Sequence, residues 1–154
     1  MDGVVADFDT VAKEIVGYST TGGLRYPESD WQKIVEYPRF YRDLPLCIGA
    51  ENFVSEIRTI AFEHGLDLKF LTAIPKENDM PYVFMDKVHW VDNNFPDIPI
   101  FFGLYSTDKY KHCKPNDILI DDRVSNCFDW NLAGGIAILH KDIDSSLAKL
   151  KELF

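Results

Sequence analysis

Asp117-Ile118-Leu119-Ile120-Asp121-Asp122-Arg123 is a short apolar run that stops on two adjacent carboxylates. A run of this length, bounded by charges, reads as a buried strand rather than a helix. Working outward, Ile136-Ala137-Ile138-Leu139 is a second such run downstream, and Ile98 to Leu104 and Leu68 to Ile74 are two more upstream. The segments between them carry helical spacing. Asn52 to His64 places Phe53, Ile57, Ile60 and Ala61 on one face with Gly65 as its stop, Pro81 to Asn94 holds a further helix, and Ile143 to Phe154 closes the chain as another. Strands alternating with helices predict βαβ units, so the fold class is α/β, a Rossmann-like parallel sheet with flanking helices. Ligands in such sheets collect at the carboxyl ends of strands, which is where Thr72 and Asp121 fall.

The front of the chain differs. Phe8, Val11, Ala12, Ile15 and Val16 have the spacing of an amphipathic helix from Phe8 to Gly17. From Thr20 to Pro45 the sequence is punctuated by Gly22-Gly23, Pro27, Pro38 and Pro45 and crowded with Tyr26, Trp31, Tyr37, Phe40 and Tyr41. That composition predicts short helices and loops, a small helical cap inserted at about residues 15–48 of a single domain spanning 1–154.

Composition narrows the function. The 154 residues suit one domain with a sizeable core, and 16 Lys+Arg against 25 Asp+Glu give a formal charge of −9. An acidic chain with no basic stripe argues against a nucleic-acid polymer as partner, whereas a mononucleotide phosphate can be held by a few local cations and a metal. Cys47, Cys113 and Cys127 form no C-x-x-C pair and read as thiols of a reducing compartment. No apolar run reaches the roughly 18 residues of a membrane span and no signal pattern opens the chain, so the expectation is a cytoplasmic protein with no membrane partner. A homodimer is compatible with the sequence. His64, His89, His112 and His140 show no metal-ligand spacing.

Three segments carry the chemistry: Met1-Asp2-Gly3-Val4-Val5-Ala6-Asp7-Phe8, Leu68-Lys69-Phe70-Leu71-Thr72-Ala73-Ile74-Pro75, and the acidic run ending in Asp121-Asp122-Arg123. Together they resemble the haloacid-dehalogenase-like (HAD) phosphohydrolases, and most closely the deoxyribonucleotidase branch that dephosphorylates nucleoside monophosphates. The resemblance implies an aspartyl-phosphate mechanism with Mg2+ as cofactor and a 5'-nucleotidase type of activity. It implies that Asp2 is the acid/base aspartate and a metal ligand, that Asp121 and Asp122 hold the metal, and that Thr72 with the Ala73 N–H binds phosphate. Adjacent carboxylates suit an oxygen-seeking magnesium that keeps several waters. The phosphate-neutralising cation is Lys111 by an ungapped count back from Asp121, with Lys109 second because Asp108-Lys109 resembles the motif's wording; Lys114 reads as a surface charge.

Lys87 and Trp90 match a Lys-x-x-Trp segment that lies near the phosphate in that branch, set against a solvated lysine and a core indole. Asn126, Trp130 and Gly134-Gly135 extend the match, Asn126 as an orienter of the acidic loop and Trp130 as core. Trp31, Phe40 and Tyr41 are candidates to stack on a base. Two other readings stand beside the nucleotidase: a catalytically silent nucleotide- or phosphate-binding protein of the same fold, and a phosphatase for sugar or other small phosphates.

In this register the family's nucleophilic aspartate falls immediately before Met1, and the apolar first core strand that would carry it has no counterpart in the sequence. The expectation is impaired nucleophilic activity with retained phosphate affinity. A terminal Met1 ammonium would also sit beside Asp2, repel a metal and pair with Asp121 or Asp122. A rival register takes Asp7-Phe8-Asp9-Thr10 as the D-x-D-x-T motif, at the cost of leaving three or four residues for a central strand.

Overall fold

The computed structural model describes residues 1–20, 24–75 and 80–154. Helices α1 (Phe8–Val16), α2 (Glu28–Glu36) and α3 (Ala50–Glu63) come first. Strand β1 (Phe70–Ala73), α4 (Val83–Asn94) and β2 (Ile100–Gly103) follow, then a 3₁₀ segment (Ser106–His112), β3 (Ile118–Asp121), α5 (Val124–Leu132), β4 (Ile136–Leu139) and α6 (Ile143–Lys151). The class is α/β, with short parallel strands and flanking helices. The Gly22-Gly23 turn expected in the cap lies outside the described residues.

The strands form two separate parallel pairs rather than one sheet. Strand β1 runs beside β2 with Thr72 opposite Phe102, and β3 beside β4 with Asp121 opposite Leu139. Each pair is one βαβ unit, and both active edges end at the same end of the molecule. Among the described residues β1 and β3 each keep one edge without a strand partner. The chain from Asp2 to Ala6 lies near that end as a tight turn, with Val4, Val5 and Ala6 all bonded to the Met1 carbonyl, and it is tied to the loop before α3 by Cys47 N to Val5 O at 2.8 Å.

The cap does not pack as a separate unit. Tyr26, Ile34, Phe40, Tyr41 and Leu44 share one core cluster with Val4, Val5, Phe53, Trp90 and Val91. Trp90 anchors this join by donating from Nε1 to the Leu44 carbonyl at 2.7 Å. Asp7 caps α1 by accepting from the Thr10 N–H at 3.1 Å, and Asp9 sits exposed in the first turn, where negative charge suits the helix dipole. This corrects the rival register: Asp7 is spent on the cap, and the segment before it is a turn, not a strand. Among the described residues no helix is long and apolar enough to cross a membrane.

Candidate functional site

Three elements bring their ends together. Thr72 ends β1 at 1 % exposure, Asp121 ends β3 at 2 %, and Lys87 comes in from the first turns of α4 at 1 %. The Lys87 ammonium donates to Thr72 Oγ1 at 3.0 Å and to Asp2 Oδ2, and it lies 4.3 Å above the centre of the Tyr41 ring. Burial pushes the Lys87 ammonium below its usual range, against the pull of Asp2. A buried ammonium with so few partners is poised to take an anion.

The second cation is Lys109. Its Nζ donates to Asp121 Oδ2 at 2.6 Å, while Asp121 Oδ1 accepts from the Arg123 N–H at 3.0 Å and from Asn126 Nδ2 at 2.8 Å. Burial pushes the Asp121 carboxyl up, but Lys109 and these donors outweigh it and hold the group below the ordinary carboxylate range. Asn126 is itself oriented by Ser106 Oγ at 2.9 Å, so it does orient the acidic loop.

Lys111, the first candidate by count, is not at the site: its ammonium pairs with Asp108 at 2.7 Å and its side chain is 61 % exposed. The cause is the 3₁₀ geometry of residues 106–112, in which side chains three apart eclipse. Ser106 and Lys109 therefore share the inward face and Lys111 is turned outward. Close approach does the rest, because a Cβ on Gly103 at the end of β2 would lie 3.0 Å from the Lys109 nitrogen. Phe40 also differs from expectation, since it is 2 % exposed and packed edge-on against Phe8 and Tyr41 within the core.

Asp2, Ala73, Tyr41, Lys109, Asp122 and Trp31 line one cleft of about 520 Å³, with Phe8 and Tyr26 adding to its aromatic wall. Arg123 and His140, to which the sequence assigned no role, reach it as well. Arg123 had a signal in the D-D-R run, whereas His140 had none: it follows β4, whose partnership with β3 is a tertiary fact. The Met1 nitrogen is buried among these charges, and burial, then Lys109, lower its basicity against the pull of Asp2, Asp121 and Asp122.

Asp2, Asp121 and Asp122 are the three metal ligands that the resemblance implies. Among the described residues no three acidic, His or Cys side chains form a ready metal cage, and both Asp121 oxygens accept hydrogen bonds. Asp2 Oδ1 is buried without a hydrogen-bond partner among the described residues. Asp122 lies against Gly3, where a Cβ would sit 2.5 Å from its Oδ2 and where φ is +71°. Only glycine meets both demands. Two available carboxylates fit magnesium, which is commonly held by one or two carboxylates plus substrate phosphate, rather than a cation needing an all-protein cage.

Burial and the neighbouring Asp121 push Asp122 up to about 6. A carboxyl whose folded value exceeds its unfolded value of about 3.9 costs stability at neutral pH, and that cost disappears as pH falls from about 6 to about 4. Asp122→Asn is therefore expected to raise unfolding free energy at pH 7 by on the order of 2 kcal/mol, with no gain at pH 4, in urea titrations. Magnesium is expected to raise the thermal midpoint of the parent chain and not that of Asp122→Asn. An equal gain at both pH values would show that Asp122 is not strained by its charge.

No protein-family model and no curated protein matches the chain.

Proposed function

We propose that the chain belongs to a magnesium-dependent phosphohydrolase of the HAD-like, 5'-nucleotidase type, acting on (deoxy)nucleoside monophosphates. The observation that carries the reading is an aromatic-walled cleft lined by Asp2, Ala73, Lys109 and Asp122, with the buried Lys87 bonded to both Asp2 and Thr72. Phosphoryl transfer asks mainly for positioning and for neutralisation of the equatorial oxygens. Thr72 Oγ1 and the Ala73 N–H supply neutral donors, and Lys87 and Lys109 supply charge. Asp2 is the acid/base candidate for the leaving oxygen: it lines the cleft, its Oδ2 accepts from Lys87, and its Oδ1 is buried without a hydrogen-bond partner among the described residues. Asp2 and Asp122 would hold magnesium, which would supply further charge neutralisation on the phosphate. Trp31 on the cleft wall offers a π face to a base, whereas the Tyr41 ring is buried with Lys87 over it, and the site size suits one nucleotide rather than a polymer.

A second reading, phosphate or nucleotide binding without turnover, has its own support. Lys87 is closed on Asp2 and Lys109 on Asp121, so both cations are already paired with carboxylates. Magnesium-dependent phosphate release should be measured over nucleoside and sugar monophosphates, for this chain and for a version carrying an apolar strand ending in Asp ahead of Met1. The extended version is expected to release phosphate faster by on the order of 10³-fold or more, with nucleotides preferred. Equal rates would remove the assignment of an upstream nucleophile, and binding without turnover in both would favour the second reading.

A further inference from the structure

Lys87 depends on a second contact away from the cleft. Arg39 and Asp86, the latter 4 % exposed and adjacent to Lys87 on α4, form an ion pair across a smaller cavity of about 300 Å³ walled by Tyr37, Tyr82 and Val83. Arg39 adopts the left-handed conformation at φ +55°, which a side chain with a Cβ enters at a cost of about 1–2 kcal/mol. Its guanidinium also lies 4.7 Å over the Tyr82 ring at the start of α4. The contact is made by Arg39 Nη2 on Asp86 Oδ1, and Arg39 Nε has no hydrogen-bond partner among the described residues.

Spacing explains why the pair matters. Arg39 is two residues before Tyr41, and Asp86 is one before Lys87, so residues 39–41 and the first turn of α4 are joined twice. One join is the Arg39–Asp86 pair and the other is the Lys87 ammonium over the Tyr41 ring. Phe40 between them is 2 % exposed and locks the segment into the core. A buried ammonium far down a flexible stem is placed by whatever fixes its backbone and the ring beneath it.

We propose that the Arg39–Asp86 pair is a positioning device that holds Lys87 over Tyr41 and against Thr72, and so tunes the phosphate site from outside the cleft. The inference rests on the phosphate-binding reading of that site, and it makes Arg39 and Asp86 positioning residues that touch no substrate. Removing Arg39 alone would leave the buried Asp86 carboxylate unpaired and endanger folding, whereas replacing both with apolar side chains of similar size is often neutral or stabilising. The decisive variant is therefore Arg39→Met with Asp86→Leu in one chain.

Two readouts separate the inference from the reading it rests on. The first is the NMR position of the Lys87 ε-methylene protons, which the Tyr41 ring current shifts upfield in the parent chain. The shift should collapse toward the random-coil position in the double variant, although its thermal midpoint is unchanged or higher. The second is the dissociation constant for inorganic phosphate, expected to rise at least about tenfold, while adding Lys87→Met should give a chain no weaker than Lys87→Met alone because both act through one group. An unaltered Lys87 shift in a folded double variant overturns the positioning inference. A collapsed shift with unchanged phosphate affinity overturns its functional half, and a parent chain that binds no phosphate overturns the reading of the site as well.

Discussion

Lys87→Met is expected to weaken inorganic phosphate binding by about a hundredfold while leaving the thermal midpoint unchanged or raised. The two halves of this result have different causes. Lys87 is 1 % exposed and gives up hydration that Thr72 Oγ1 and one carboxylate oxygen only partly replace. A methionine of similar length keeps the packing against Tyr41 without that desolvation cost. Asp2, with its side chain 28 % exposed, can return to water when its partner is lost. An incoming phosphate, by contrast, loses the one cation among the described residues that bridges the Thr72 donor and the Asp2 carboxylate. Titration calorimetry with phosphate and a thermal melt decide the matter. Unchanged affinity would remove Lys87 from the site.

Asp121→Ala should act in the opposite way, through the fold. Asp121 accepts from Lys109, Arg123 and Asn126 while 2 % exposed, and Lys109 is 8 % exposed. Removing the carboxylate strands a buried ammonium and an amide together, a change that costs about 3–5 kcal/mol. The destabilisation should appear as a lower urea midpoint at pH 7. It should shrink only in strong acid, because a carboxyl held below its unfolded value contributes stability that is present above that value and lost as pH falls through the folded one. A companion Lys109→Met, Asp121→Leu chain should recover much of the stability and none of the phosphate affinity. Loss of less than about 1 kcal/mol in Asp121→Ala would mean that Lys109 finds solvent instead.

These two residues also show how far the sequence could be read. The strand and helix alternation was legible because β1, β3 and β4 are short branched apolar runs and α3 and α6 keep their apolar positions three and four apart. Helix α5 carried no such signal. It buries Asn126, Cys127 and Trp130, while Val124, Phe128 and Leu132 lie exposed, so the hydrophobic pattern points away from the face that packs. The inward Asn126 is there to bond Asp121, and a polar residue placed for a site breaks the pattern on which a helix is recognised.

The site divides the same way. Thr72, Asp121, Asp122 and Asp2 could be named from the ends of apolar runs and from motif wording, since local sequence determines where a strand stops and which side chain stands there. Motif wording also offered Lys87, and it left Lys109 and Lys111 as alternatives that it could not rank correctly. Lys109 and Lys111 differ only by the turn of a 3₁₀ segment, and Lys87 sits 15 residues from Thr72 and 85 from Asp2 along the chain. Its partners, the ring beneath it and the Arg39–Asp86 pair exist only once α4 packs on residues 39–44. The sequence by itself determined the α/β class and the carboxylates at strand ends. The tertiary structure decided which cations meet them, because burial and charge pairing across distant segments are properties of the packed chain and leave no local pattern.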